Sequence, residues 1–137
     1  VDRLSEQFWP GPLNLVLERD APELDEQCAM DGTVSVGCLA NPVWREFADA
    51  VGDPVAMTSA NVSGTVPDDT LVTPEMARDH LGDGVDYLLG GQPDGTTRAS
   101  TILSLAAGAD GEATELRQGD VTDAAIERAV PWLSTDV

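Results

Sequence analysis

Leu13, Leu15 and Leu17 recur at every second position, with Asn14 and Val16 between them, and that spacing predicts a strand. Thr33 to Cys38 is a second strand candidate. A helical pattern then takes over. Asn41-Pro42 supplies an N-cap and a first-turn proline, Val43, Phe47, Ala50 and Val51 mark an apolar face, and Gly52 follows the end. Thr73-Pro74-Glu75 opens another helix, which runs to Leu81 and stops at Gly82. Thr122 caps a last one, with Ile126, Ala129 and Val130 on one side. Leu4 to Trp9 reads as the end of a helix halted by Pro10-Gly11-Pro12. Further strands are expected at Val55–Met57, Val85–Leu89, Ser100–Leu105 and Ala113–Arg117. Residues 20 to 32 are acidic and turn-rich, with a short helix expected near Pro22 to Cys28. Strands interleaved with helices in this way predict an α/β or α+β sheet. The chain opens inside a helix, without a methionine, and nothing ahead of it covers the Leu13 strand. The expectation is a partial domain, part of something larger.

The stretch from Val55 to Gly64, Val-Ala-Met-Thr-Ser-Ala-Asn-Val-Ser-Gly, is chemically the richest. An apolar run ends abruptly in Thr58, Ser59 and Asn61, as when a buried strand delivers polar groups to the rim of a sheet where α/β proteins bind ligands. On an extended backbone Ser59 and Asn61 point the same way, a hydroxyl and an amide suited to phosphate or carboxylate oxygens. A Ser/Asn turn that merely caps a strand fits these residues equally well.

Composition changes the picture in one respect. At 137 residues the chain can bury a core, and 42% of it is hydrophobic, so a disordered acidic tail is excluded. Yet 25 acidic residues face seven basic ones, all arginine, for a net charge of −18. A dispersed acidic surface without lysine suits very high salt, where screening suppresses self-repulsion. A halophilic-type protein that loses stability at low ionic strength is expected. Cys28 and Cys38 lack metal-ligand spacing and are expected reduced and partly buried, in a cytoplasmic protein. His80, the single histidine, is expected to be solvent-exposed. No apolar run has transmembrane length, and residues 1 to 12 do not form a signal peptide.

Four segments together resemble the YrdC-like family, whose best-known members are threonylcarbamoyl-adenylate synthases. They are Phe8-Trp9-Pro10-Gly11-Pro12-Leu13, Thr58-Ser59-Ala60-Asn61-Val62-Ser63-Gly64, Ser100-Thr101-Ile102 and Leu116-Arg117-Gln118-Gly119, in the family's order. The resemblance implies a twisted mixed sheet with flanking helices around a concave cavity. It implies condensation of threonine, bicarbonate or CO2 and ATP, with Mg2+, into threonylcarbamoyl-adenylate. Partner proteins would then pass the threonylcarbamoyl group to a tRNA adenosine. By the same resemblance Thr33, Ser59, Asn61 and Arg117 would contact the nucleotide, and Met57 and Ser100 the threonine. Thr58 and Arg98 are further candidates. The site would hold three reactants in line and neutralise phosphate charge, with no His or Cys required.

The chain departs from that pattern in three places. The family's threonine-rich start and its Lys-x-Arg pair are missing, so residues 1–137 are expected to be the domain's C-terminal portion. Gly37 stands where the family usually has an arginine for the threonine carboxylate, and Leu39 replaces a proline. Asn14 stands where a threonine is common. Arg98, two residues before Ser100, would share its side of an extended strand and could stand in for the lost arginine. Two other functions stay open: the carbamoyl-adenylate module of a carbamoyltransferase, and a non-catalytic nucleotide- or RNA-binding module. A charge of −18 works against RNA binding.

Overall fold

In the computed structural model, residues 1–20, 29–91, 95–106, 113–131 and 135–136 are described. In chain order the elements are α1 (Asp2–Phe8), β1 (Leu13–Glu18), β2 (Ala29–Met30), β3 (Thr33–Gly37), α2 (Pro42–Val51) and α3 (Pro74–Leu81). A 3-10 turn (Gly82–Gly84), β4 (Thr101–Ser104), β5 (Ala113–Arg117), α4 (Asp123–Ala129) and β6 (Thr135–Asp136) follow. The strands form one sheet in the order β2-β3-β1-β4-β5-β6. It is mixed: β1 runs antiparallel to β3 and parallel to β4, and β5 runs antiparallel to β4. The mixed sheet with flanking helices is the expected fold class.

The alternation read at Leu13 sorts the sheet into two faces. Leu13, Leu15, Leu103 and Ala113 point to one side, where they pack with Leu4 of α1, Val121, and Ile126 and Val130 of α4 in one core. Leu13 is fully buried, so α1 and α4 cover the strand that was expected to lie bare. The Pro-rich turn is drawn tight by its neighbours. The Trp9 indole N–H donates to the Leu13 carbonyl at 2.7 Å, and the Gly11 amide to the Cys38 carbonyl at 2.7 Å. A Cβ on Gly11 would strike the Phe8 carbonyl, which is why glycine stands there.

The helices between β3 and β4 begin and end where their caps predict. Asn41 Oδ1 accepts from the Val43 and Trp44 amides, and Gly52 closes α2 in the left-handed region at φ 74°. Thr73 Oγ1 accepts from the Met76 amide at the start of α3. No residue of α2 or α3 is fully buried, and Phe47 and Val51 on the predicted apolar face of α2 are 39% and 45% exposed.

Two expected strands are absent. Val55–Met57 and Val85–Leu89 are irregular, and Tyr87, Leu88 and Leu89 are exposed. Apolar content favours a strand only where a partner takes its amides and carbonyls, and neither segment joins the sheet. Cys38 is exposed, where partial burial was expected; Cys28 and the helix expected near Pro22 to Cys28 lie outside the described residues.

Candidate functional site

Opposite the core, the sheet presents a second face. Pairing places Gly37 beside Asn14, Asn14 beside Ile102, and Ile102 beside Arg117. Paired residues in neighbouring strands share a face, so these four form a row across β3, β1, β4 and β5. A register shift between Ile102 and Leu103 turns Arg117 to this side, while Glu115 stays on the core side opposite Leu103.

Arg117 is fixed by backbone. Its Nε donates to the Ser100 carbonyl at 2.9 Å and its Nη1 to the Asp68 carbonyl at 3.2 Å. A guanidinium carries five N–H donors, so most of the fork stays open to an anion. The Asp68 contact joins Arg117 to the loop that carries Ser59 and Asn61. The Ala99 amide repeats the tie by donating to the Asp69 carbonyl at 3.1 Å.

The residues after Arg117 form a clamp on the start of β4. A Cβ at Gly119 would lie 2.7 Å from the Thr101 amide nitrogen and would strike the Ala99 carbonyl, so only glycine lets the two segments approach. Thr101, fully buried, accepts at Oγ1 from the Gly119 and Val121 amides and donates to the Val121 carbonyl at 2.8 Å. Asp120 accepts from the Thr97 hydroxyl at 2.5 Å, the Thr97 amide at 2.7 Å and the Arg98 amide at 3.3 Å. Those bonds, the Thr97 hydroxyl first, hold its carboxyl below the usual range. The sequence marked this stretch only through Arg117 and Gly119.

Around Ser59 and Asn61 the backbone turns. Asn61 Nδ2 donates to the Val62 carbonyl at 3.0 Å, Thr65 Oγ1 donates to the same carbonyl, and Gly64 has φ 74°. Of the two readings of this stretch, the polar turn describes the backbone, and the alternation argument for a shared direction of Ser59 and Asn61 does not apply. His80 of α3, expected exposed, is half-buried and accepts the Val62 amide at Nδ1 over 3.3 Å, which requires an unprotonated Nδ1. A histidine 18 positions away gave no local sign of this pin.

The other candidates separate. Ser100, Arg98 and Arg117 come together beside Asp68 and Asp69, whereas Met57, Thr58 and Ser59 are exposed on the near limb of the loop. Thr33 shares the open face but pairs with Glu18, at the far end of β3 from Gly37. At about 3.4 Å per residue that is roughly 14 Å along the strand. Arg98 does not extend the strand as expected: β4 begins at Thr101, because Asp120 holds the chain at Thr97 and Arg98. Its side chain lies 4.0 Å from Asp69, with both groups about half exposed.

Two further features fall outside this face. Burial, then a hydrogen bond and charge repulsion from Asp123, push the Glu115 carboxyl up to about 7 on the core side. A surface recess of about 420 Å³ is lined by Arg3, Glu6, Gln7 and Ala129 on α1 and α4, away from every candidate residue. No helix among the described residues is long and apolar enough to cross a membrane.

Residues 1–119 match the model of the Sua5/YciO/YrdC family, described under telomere recombination. A putative threonylcarbamoyl-AMP synthase of Mycobacterium tuberculosis is 40% identical over 99 residues, 72% of this chain and 43% of that protein. The threonylcarbamoyl-AMP synthase of Bacillus subtilis is 30% identical over 134 residues, 97% of this chain and 37% of that protein. Among solved structures, P. abyssi Sua5 complexed with L-threonine superposes with a TM-score of 0.80 at 23% identity, over 98% of this chain and 38% of its own. The chain thus spans less than half the length of these relatives.

Proposed function

The chain belongs to the Sua5/YciO/YrdC family, and from that premise we propose that it carries the greater part of a threonylcarbamoyl-adenylate-forming site. The substrates are L-threonine, bicarbonate or CO2, and ATP with its Mg2+. The threonine amine takes up CO2, supplied directly or by bicarbonate with loss of water, to give a carbamate. A carbamate oxygen then attacks the α-phosphorus, an O–P bond forms, and the α–β phosphoanhydride bond breaks to release pyrophosphate. The chain's own residues contribute position and charge. Arg117 offers its open N–H donors to the phosphates, Ser59 and Asn61 line the nucleotide side, and Ser100 and Met57 border the amino acid. Thr33, at the other end of β3, serves a distal part of the nucleotide. Partner proteins then carry the threonylcarbamoyl group to tRNA. At −18 the chain itself is poorly suited to holding RNA.

The supporting observation is that Arg117 bridges Ser100 and the loop bearing Asn61 on the sheet's open face. Calorimetric titration with ATP, with and without threonine and bicarbonate, tests the reading. Tighter ATP binding when both co-substrates are present supports the synthase. ATP binding indifferent to threonine would point instead to a nucleotide-binding module, and no binding of either would remove the assignment.

A further inference from the structure

Asn14 occupies an unusual place on the open face. It pairs with Gly37, and its Oδ1 sits against the position a Cβ on Gly37 would take. A side chain at 37 and the present orientation of the Asn14 amide therefore exclude each other. The residue is half-buried, and its amide, which is not enclosed, has no hydrogen-bond partner among the described residues. An amide that is unpaired within the protein and reachable on the open face keeps its donors and acceptor available to a ligand. Its neighbours in the row narrow that ligand. Ile102 provides an apolar floor on one side, and Arg117 follows at two strand spacings, about 10 Å from Asn14. A small group with an anionic end and an aliphatic part fits between them.

We propose that Asn14, seated over Gly37, is a specificity-determining residue that donates its amide N–H to the carboxylate of the amino-acid substrate. This rests on the functional reading given above and assigns the contact to β1, one strand away from position 37. A neutral amide holds a carboxylate less firmly than a guanidinium fork does, so this subsite selects by shape and one or two hydrogen bonds.

The test is calorimetric, with the protein and its Asn14→Ala variant titrated separately with ATP, L-threonine and L-threoninol, which lacks the carboxylate. Loss of one hydrogen bond to a charged group weakens threonine binding by about tenfold. ATP and threoninol binding should not change. A second variant, Gly37→Ala, leaves the amide in sequence but displaces it, and should weaken threonine binding similarly. Adding Asn14→Ala to it should then cost little more. Circular dichroism checks that both fold. Threonine affinity unchanged in Asn14→Ala, or an equal loss for threoninol, overturns the proposal while leaving the family reading intact. A parent chain that binds neither ATP nor threonine overturns both.

Discussion

On the α1/α4 side of the sheet, Leu13, Leu15, Leu103 and Ile126 have no exposed surface; between Leu39 and Ala99, no described residue is fully buried. The two regions reach order by different means. The sheet is held by packing, which is non-directional and cooperative. The excursion is held by caps at Asn41 and Thr73, the His80 pin, and the ties from Asp68 and Asp69 to Arg117 and Ala99. Ser59 and Asn61 thus sit on the loosely held part and are referenced to the firmly held part through the ties at Arg117 and Ala99. Opening of the excursion without loss of the core is the expected behaviour of such a division.

The sharpest way to break the contrast is to truncate one apolar residue on each side. Leu103→Ala should cost about 2–5 kcal/mol in urea unfolding, the range for a buried leucine. Phe47→Ala, on the exposed face of α2 beside Trp44, should cost less than about 1 kcal/mol. Equal costs would mean that the two regions unfold as one unit.

Ionic strength should separate them next. Asp49, Asp53, Asp79, Asp83 and Asp86 are all exposed on the excursion. Lowering salt from molar to dilute lengthens the reach of their repulsion from about 3 Å to 10 Å or more. Amide protection in α2 and α3 is expected to fall before that in β1 and β4, and the melting temperature to drop. Equal melting temperatures in both media would refute the high-salt reading.

A pH-dependent test belongs to Glu115. Its carboxyl keeps its proton to about 7 when folded, against 4.5 for the unfolded group. The folded state therefore binds more protons between those values, and stability falls as pH rises through that window, then levels off. Glu115→Gln should be more stable than the parent at about pH 8 and match it near pH 4. A gain of the same size at both pH values would exclude proton linkage as its cause.

What could be read from the sequence follows the same division. Caps act over three or four residues, so Asn41, Gly52 and Thr73 marked their helices correctly. Alternation at Leu13 to Leu17 found the strand at the centre of the sheet. Val55–Met57 and Val85–Leu89 misled, since their apolar runs do not pair in the sheet, and no local pattern reveals whether a run finds a partner strand. The β2–β3 hairpin was readable but unread: Asp31-Gly32, both at positive φ, is the two-residue turn that such a hairpin requires. At the site, Arg117 and Ser100 entered separately through motif order, and only the structure brings them into contact. Asn14 entered only as a departure, and its relation to Gly37 depends on strand register, which spacing alone does not supply. Asp120 and His80 act across 22 and 18 positions, beyond the reach of any local reading.

Thr101 has one more consequence for a chain so heavily acidic. The joint it makes with Gly119 and Val121 employs a hydroxyl and peptide groups, none of them ionised and all enclosed. Brine and fresh water are alike to such dipoles. Whatever the medium does to the acidic exterior, the corner that aims Arg117 should keep its shape.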